Sequence, residues 1–266
     1  RTRRERDAAR IDTETLLVAW LGELLPLGAR PAIENALKQP LSYTARYLVT
    51  PGAKPRAVVI LGEAHIKMGT AAKLGKEVVS KFELRGVESF QMKDVFGGRV
   101  LGILINAPRL LLRVLSAGAV KGSTIVEAKA IETGSTVLLE KTEHIPLALH
   151  VASVYMSAFF ATIYGTFLLG LFGVVVPWLA GAAFLFQAHM VLLLPAWFLR
   201  AESWHWVLHP MIAILTVRDT LMVEGTVRMM KDHPGPDAAV LVMGRAHVRG
   251  VERQLIEKHG FLPAEL

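Results

Sequence analysis

Two segments of this chain carry the same chemistry-bearing pattern. Val58–Ile66 reads VVILGEAHI and Val240–Val248 reads VLVMGRAHV. Each is an apolar run, then Gly-x-Ala-His, then an apolar residue. A single Gly-x-x-His means little, and a lone histidine after a strand usually caps a helix or bonds within the core. Two copies ending runs of the same type point to a site. In α/β sheets ligands bind beyond the carboxyl ends of the strands, where His65 and His247 would stand. Gly62 and Gly244 would permit a sharp turn and close backbone approach. Two imidazoles with Glu63, two residues before His65, and Glu88, at the end of KFELRGVE, form a donor set for a divalent ion. Either carboxylate could serve as general base to a metal-bound water. Arg218 and Asp219 interrupt the apolar run LTVRDTLM. Buried charges must be paired or bound, so Arg218 either stabilises an oxyanion or substrate carboxylate, or forms a helix–sheet ion pair with no catalytic part.

The elements that must carry these residues read as α/β. Asp12–Leu27 has apolar residues at helical spacing. Tyr43–Thr50 and Ala57–Leu61, separated by Pro51-Gly52-Ala53-Lys54-Pro55, predict a hairpin feeding a buried strand. Helices are expected over Gly69–Lys81, Val100–Leu115, Thr124–Glu132, Pro210–Lys231 and from about Val248 to His259. Strands are expected over Phe82–Glu88, Thr136–Leu139 and Ala238–Met243. Strands alternating with helices indicate a central sheet flanked by helices. The apolar helix Val100–Leu115, with Arg109 and Arg113, reads equally as a membrane-surface helix or a core helix.

Composition sets the surroundings. Hydrophobic residues make up 52% of the 266 residues, charged residues 20%, and mean hydropathy is +0.40. No Asp, Glu, Lys or Arg occurs over the 56 residues from His144 to Leu199. A membrane span needs about 20 apolar residues, so this run predicts two helices, about Leu149–Val176 and Trp178–Leu199, broken at Pro177 and Gly181. Residues 1–143 hold 22 Lys/Arg against 15 Asp/Glu, which favours a cytoplasmic soluble domain. The absence of cysteine removes disulfides and thiolate chemistry. No nucleic-acid-binding signature accompanies the basic surplus, and no G-x-S-x-G, P-loop or complete G-x-G-x-x-G occurs. The chain opens at Arg1, which suggests a trimmed start, and no secretory signal is read.

By these residues the chain resembles the TraB/PrgY/TIKI superfamily, whose wider relatives include erythromycin-esterase-like and ChaN-like heme-binding proteins. The resemblance runs from Tyr43 to Phe261. It rests on GEAH at Gly62–His65, Glu88, Arg218-Asp219 and GRAH at Gly244–His247. Glu140-Lys141 stands where the family usually has Asp-Arg. The resemblance implies a TraB-like domain in two halves (43–143 and 201–266), here after an N-terminal helical segment (1–42) and interrupted by the transmembrane hairpin (144–200) read from the uncharged run, whereas the family's membrane helices are expected nearer the C-terminus. It implies a membrane-anchored, metal-dependent hydrolase acting on peptides or proteins, with manganese, cobalt or zinc. His65, His247, Glu63 and Glu88 would be ligands or catalytic groups, with Gly62, Gly244, Asp219 and Glu140 in the pocket. The alternatives are a non-catalytic peptide- or ligand-binding regulator, and heme or metal handling. Expected partners are membrane lipid, a peptide substrate and a second copy of the chain, not nucleic acid. The expected setting is a bacterial or archaeal cell membrane.

Overall fold

The computed structural model describes residues 21–39, 41–64, 67–90, 94–115, 120–121, 124–191, 203–207 and 209–266. The elements in the first half are α1 (Ala29–Leu37), β1 (Tyr43–Val49), β2 (Ala57–Glu63), β3 (Lys67–Met68), α2 (Gly69–Ser80), β4 (Leu84–Val87), α3 (Gly98–Leu115), β5 (Val120–Lys121), α4 (Thr124–Lys129) and β6 (Ser135–Leu138). Then come α5 (Leu147–Leu171), α6 (Pro177–Val191), a 3-10 turn (Ser203–Val207), a π-helical turn (Ala213–Val217), α7 (Arg218–Asp232), β7 (Ala238–Gly244), α8 (Arg245–His259) and β8 (Leu262–Ala264). They form two compact units. One contains Arg1–Ser89, Gly118–Glu140 and Met222–Leu266, and the other Phe90–Ala117 and Lys141–Leu221.

The first unit is built on a six-stranded mixed sheet in the order β6-β4-β7-β2-β1-β8. Its centre is the parallel pair β2 and β7, in register from Ala57 opposite Ala238 to Glu63 opposite Gly244. Every residue of both strands is buried, as their unbroken apolar sequences demand when helices cover both faces. Val59, Leu61, Val240 and Val242 pack towards Ile33 of α1 and Val78 and Val79 of α2. The alternate residues Val58, Ile60, Leu241 and Met243 pack towards Met222 and Val223 of α7 and Val251 and Leu255 of α8. Burying each such aliphatic side chain contributes about 1.5–3 kcal/mol. The expected hairpin is present, with β1 antiparallel to β2. β4 lies parallel to both β7 and β6. Four strands therefore point their carboxyl ends the same way.

A buried arginine holds the opposite end of the sheet. Arg56 donates from Nε to the Pro236 carbonyl at 2.7 Å, and from Nη1 and Nη2 to the Met230 and His233 carbonyls at 2.6 Å each. Met230 and His233 mark the end of α7, whose last carbonyls lack helical partners and favour a cation. Burial lowers the Arg56 pKa, and Asp237 opposes that shift.

In the second unit, α5 is apolar on all sides. It is long and apolar enough to cross a membrane, and none of its most apolar window is buried. Among the described residues only α5, rather than two helices, meets that length and composition. The second expected span is described as far as Val191, and its remainder lies outside the described residues. The break falls over 172–176, where Gly173 has φ +70°, and Pro177 opens α6 as its first residue. A Cβ on Gly165 would stand 3.2 Å from Leu179 Cδ2, so glycine lets α6 approach closely. The single helix expected over Pro210–Lys231 instead contains the π-helical turn Ala213–Val217 before Arg218.

A polar joint sits in this unit. Tyr155 Oη is 2.8 Å from His189 Nδ1, and the His189 and His209 rings lie 4.1 Å apart. Buried His209 accepts the Met211 N–H at Nδ1 (3.2 Å), so its Nε2–H donates to the His189 carbonyl (3.1 Å). A proton added at Nδ1 would confront the Met211 donor. Burial first, then neighbouring His189, lowers the His209 pKa, partly offset by its bond to the His189 carbonyl.

Two outcomes are expected. Arg56→Met leaves three carbonyls without their cation, at a cost of about 3 kcal/mol. Thermal unfolding of the detergent-purified chain should then begin about 6–12 °C lower. A shift near zero would mean that water replaces the guanidinium. For His209, a folded-state pKa below the ordinary value of about 6.5 gives full stability above that pH and a loss as pH falls through the folded value. His209→Gln should therefore flatten the fall in unfolding temperature between about pH 7 and about pH 5. Parallel curves for the two proteins would refute the assignment.

Candidate functional site

The four parallel strands bring most of the expected residues to one edge of the first unit. Glu63 is the last residue of β2 and Gly244 the last of β7. Glu88 follows the last residue of β4, and Glu140 lies two beyond the end of β6. Adjacent strands are about 5 Å apart, so three glutamates span a row of neighbouring strand ends. All three are buried: Glu63 is 1% exposed, Glu140 2% and Glu88 7%.

Each carboxylate is fixed by a main-chain N–H. Glu63 Oε2 accepts from Thr124 at 2.8 Å, Glu88 Oε2 from Gly244 at 2.5 Å, and Glu140 Oε2 from Ser89 at 2.9 Å. Such bonds meet part of the cost of burying a carboxylate. They also fix where the remaining oxygen points. Glu88 Oε1 lies 3.9 Å from His247 Nε2, and His247 is only 4% exposed.

His247 occupies the first turn of α8, not the loop that the sequence pattern suggested, because β7 runs directly into the helix at Arg245. Gly244 has φ −60° and ψ 141°, which any residue adopts, so its value lies in the N–H given to Glu88 and not in a special backbone angle. Gly62 is required by space. A Cβ there would collide with Val248 Cγ2, stand 2.7 Å from Thr44 Cγ2 and 3.4 Å from the Arg245 Cα. The missing side chain lets the start of α8, and with it His247, lie against β2.

Tyr43 and Thr124 belong to this edge and were not singled out from sequence. Tyr43 pairs with Glu63 across the β1–β2 hairpin, and its hydroxyl is 2.9 Å from Thr124 Oγ1. Gly75 of α2 leaves room for both hydroxyls, which a Cβ would strike. Counting hairpin register from the Pro51–Pro55 turn was the available signal for Tyr43. Nothing local marked Thr124.

His65 lies outside the described residues. Arg218 and Asp219 belong to the second unit. There they are 8% and 5% exposed, and the Arg218 guanidinium lies 5.0 Å from the Phe90 ring centre. They directly follow the π-helical turn, a feature frequent at functional positions. Among the described residues no group of three or more His, Asp or Glu side chains is arranged to hold a metal ion. Comparison with family models, curated proteins and solved structures finds no match.

The tight fit at Gly62 generates a double-mutant test. Gly62→Ala should destabilise the chain by about 1–3 kcal/mol through overpacking. Adding Val248→Ala, which removes the nearest methyl, should recover part of that loss. Strictly additive effects in the cycle would show that the two positions do not press on each other.

Proposed function

We propose that this chain is a membrane-anchored hydrolase of peptides, with a divalent ion bound at the carboxyl edge of its sheet. The observation that carries this reading is the buried His247–Glu88 pair, 3.9 Å between Nε2 and Oε1. Donors each about 2.1 Å from one ion stand about 3–4 Å apart, so the pair fits two ligand positions, and a third donor is needed. A divalent ion there would supply an acidified water and polarise a carbonyl. Manganese, cobalt and zinc suit an imidazole–carboxylate set. Glu88 serves as ligand through Oε1 while Oε2 stays on the Gly244 N–H. Glu63, fixed by Thr124, is the candidate base for the attacking water. The paired Gly-x-x-His motifs and their TraB/TIKI resemblance support peptides as substrate. The exposed apolar surface of α5 supports the anchor, and the basic surplus before it a cytoplasmic site.

A second reading has its own observation. Glu63, Glu88 and Glu140 all accept main-chain hydrogen bonds, so they can act as structural fasteners at an edge that binds a peptide or ligand without turnover.

Elemental analysis of the detergent-purified protein beside His247→Ala separates the two. The hydrolase reading expects near-stoichiometric metal in the parent and its loss in a variant of unchanged circular dichroism. Glu88→Gln should then lower multiple-turnover peptide cleavage on the order of 100-fold or more. Cleavage that survives chelation would overturn the metal role and the second reading alike, and ligand binding with no product would leave only the second reading.

A further inference from the structure

Among the described residues, helix α3 carries an exposed apolar stripe. Phe96, just before the helix, and Val100, Ile103, Leu110 and Val114 are 74%, 53%, 69%, 65% and 68% exposed. Within the helix, the spacing of three, seven and four residues puts Val100, Ile103, Leu110 and Val114 on one face, while Leu101 is buried on another. Stretch 98–120 contains three arginines, at 99, 109 and 113, and no Asp or Glu. Arg99 is exposed. Unlike the all-round apolar α5 and α6, α3 is strongly amphipathic. That pattern belongs to helices lying at a membrane surface rather than crossing it.

The stripe also adjoins apolar surface of the same unit. The Phe96 N–H donates to His150 Nδ1 at 3.0 Å. At Gly97, φ +72°, a Cβ would stand 3.8 Å from Val154 Cγ2 and 3.9 Å from Ser157 Oγ. The start of α3 is thereby tied to the first turns of α5, whose Val151, Val154, Phe167 and Leu171 are exposed. An anionic bilayer answers both the stripe and the charge.

We infer that α3 seats its apolar stripe in the headgroup–acyl boundary of an anionic membrane, with its arginines drawn to lipid phosphate. This rests on the reading of α5 as a membrane span, and the test separates the two. Because the chain has no cysteine, Ile103→Cys, Phe167→Cys and, as an exposed control in the turn between β1 and β2, Lys54→Cys each accept one environment-sensitive fluorophore. The full chain is reconstituted in vesicles of phosphatidylcholine, with or without phosphatidylglycerol. The Ile103 probe should be quenched best by nitroxide near the lipid headgroup, and several-fold less by aqueous iodide than the Lys54 probe. Phosphatidylglycerol should deepen that protection and added salt should weaken it. An Ile103 probe as open to iodide as Lys54, beside a Phe167 probe quenched from the chain ends, overturns the inference and keeps the span. A Phe167 probe open to iodide overturns both. Protection that follows protein concentration instead of lipid charge assigns the stripe to a second copy.

Discussion

The parallel pairing of β2 with β7 is the constraint on which the first unit depends. The two strands are far apart in sequence, yet they meet residue for residue along seven positions. Both are buried on both faces, so neither has a half-polar alternative register. Slipping β7 by one residue would exchange the side chains facing α1 and α2 with those facing α7 and α8. It would also move Gly244 away from the end of β2 and away from Glu88. The site edge is thus a by-product of the register that buries the core.

That edge is held by charge–dipole contacts as well as by apolar packing. Three carboxylates each take a main-chain N–H from a different segment: the start of α4, the end of β7 and the turn after β4. Each bond ties a loop to a strand end at low dielectric, where a charge-assisted bond is strong and an unmet carboxylate is costly. At the far end of the sheet Arg56 does the converse, satisfying three carbonyls with one cation. The sheet is pinned by anions at one end and by a cation at the other.

Much of this was legible from residue order. VVILGE and AAVLVMG announce themselves as doubly buried strands because parallel strands lack polar alternation. The Pro51–Pro55 turn announces the hairpin. Glu63, Glu88 and His247 follow from standing at strand ends, which periodicity locates well. What stayed hidden depends on partners distant in sequence. The place of β7 between β2 and β4 is a matter of sheet order, which no local pattern encodes. The acceptors of Arg56 are main-chain atoms, which carry no residue-type signal. The steric need for Gly62 arises from Val248 and Thr44, and the π-helical turn before Arg218 leaves no mark in apolar spacing.

The position of β7 in the chain has a consequence for synthesis. β7 follows α5 and α6 in sequence but lies inside the sheet, between β2 and β4. While the ribosome is still making α5 and α6, β2 and β4 have emerged with bare inner edges, and the groups that β7 will supply do not exist. Sticky, half-built sheet must wait for its keystone strand, and such open edges invite aggregation. The nascent chain is therefore vulnerable until its last elements arrive. A cell making this protein would need to shelter that half-sheet while α5 and α6 are being made.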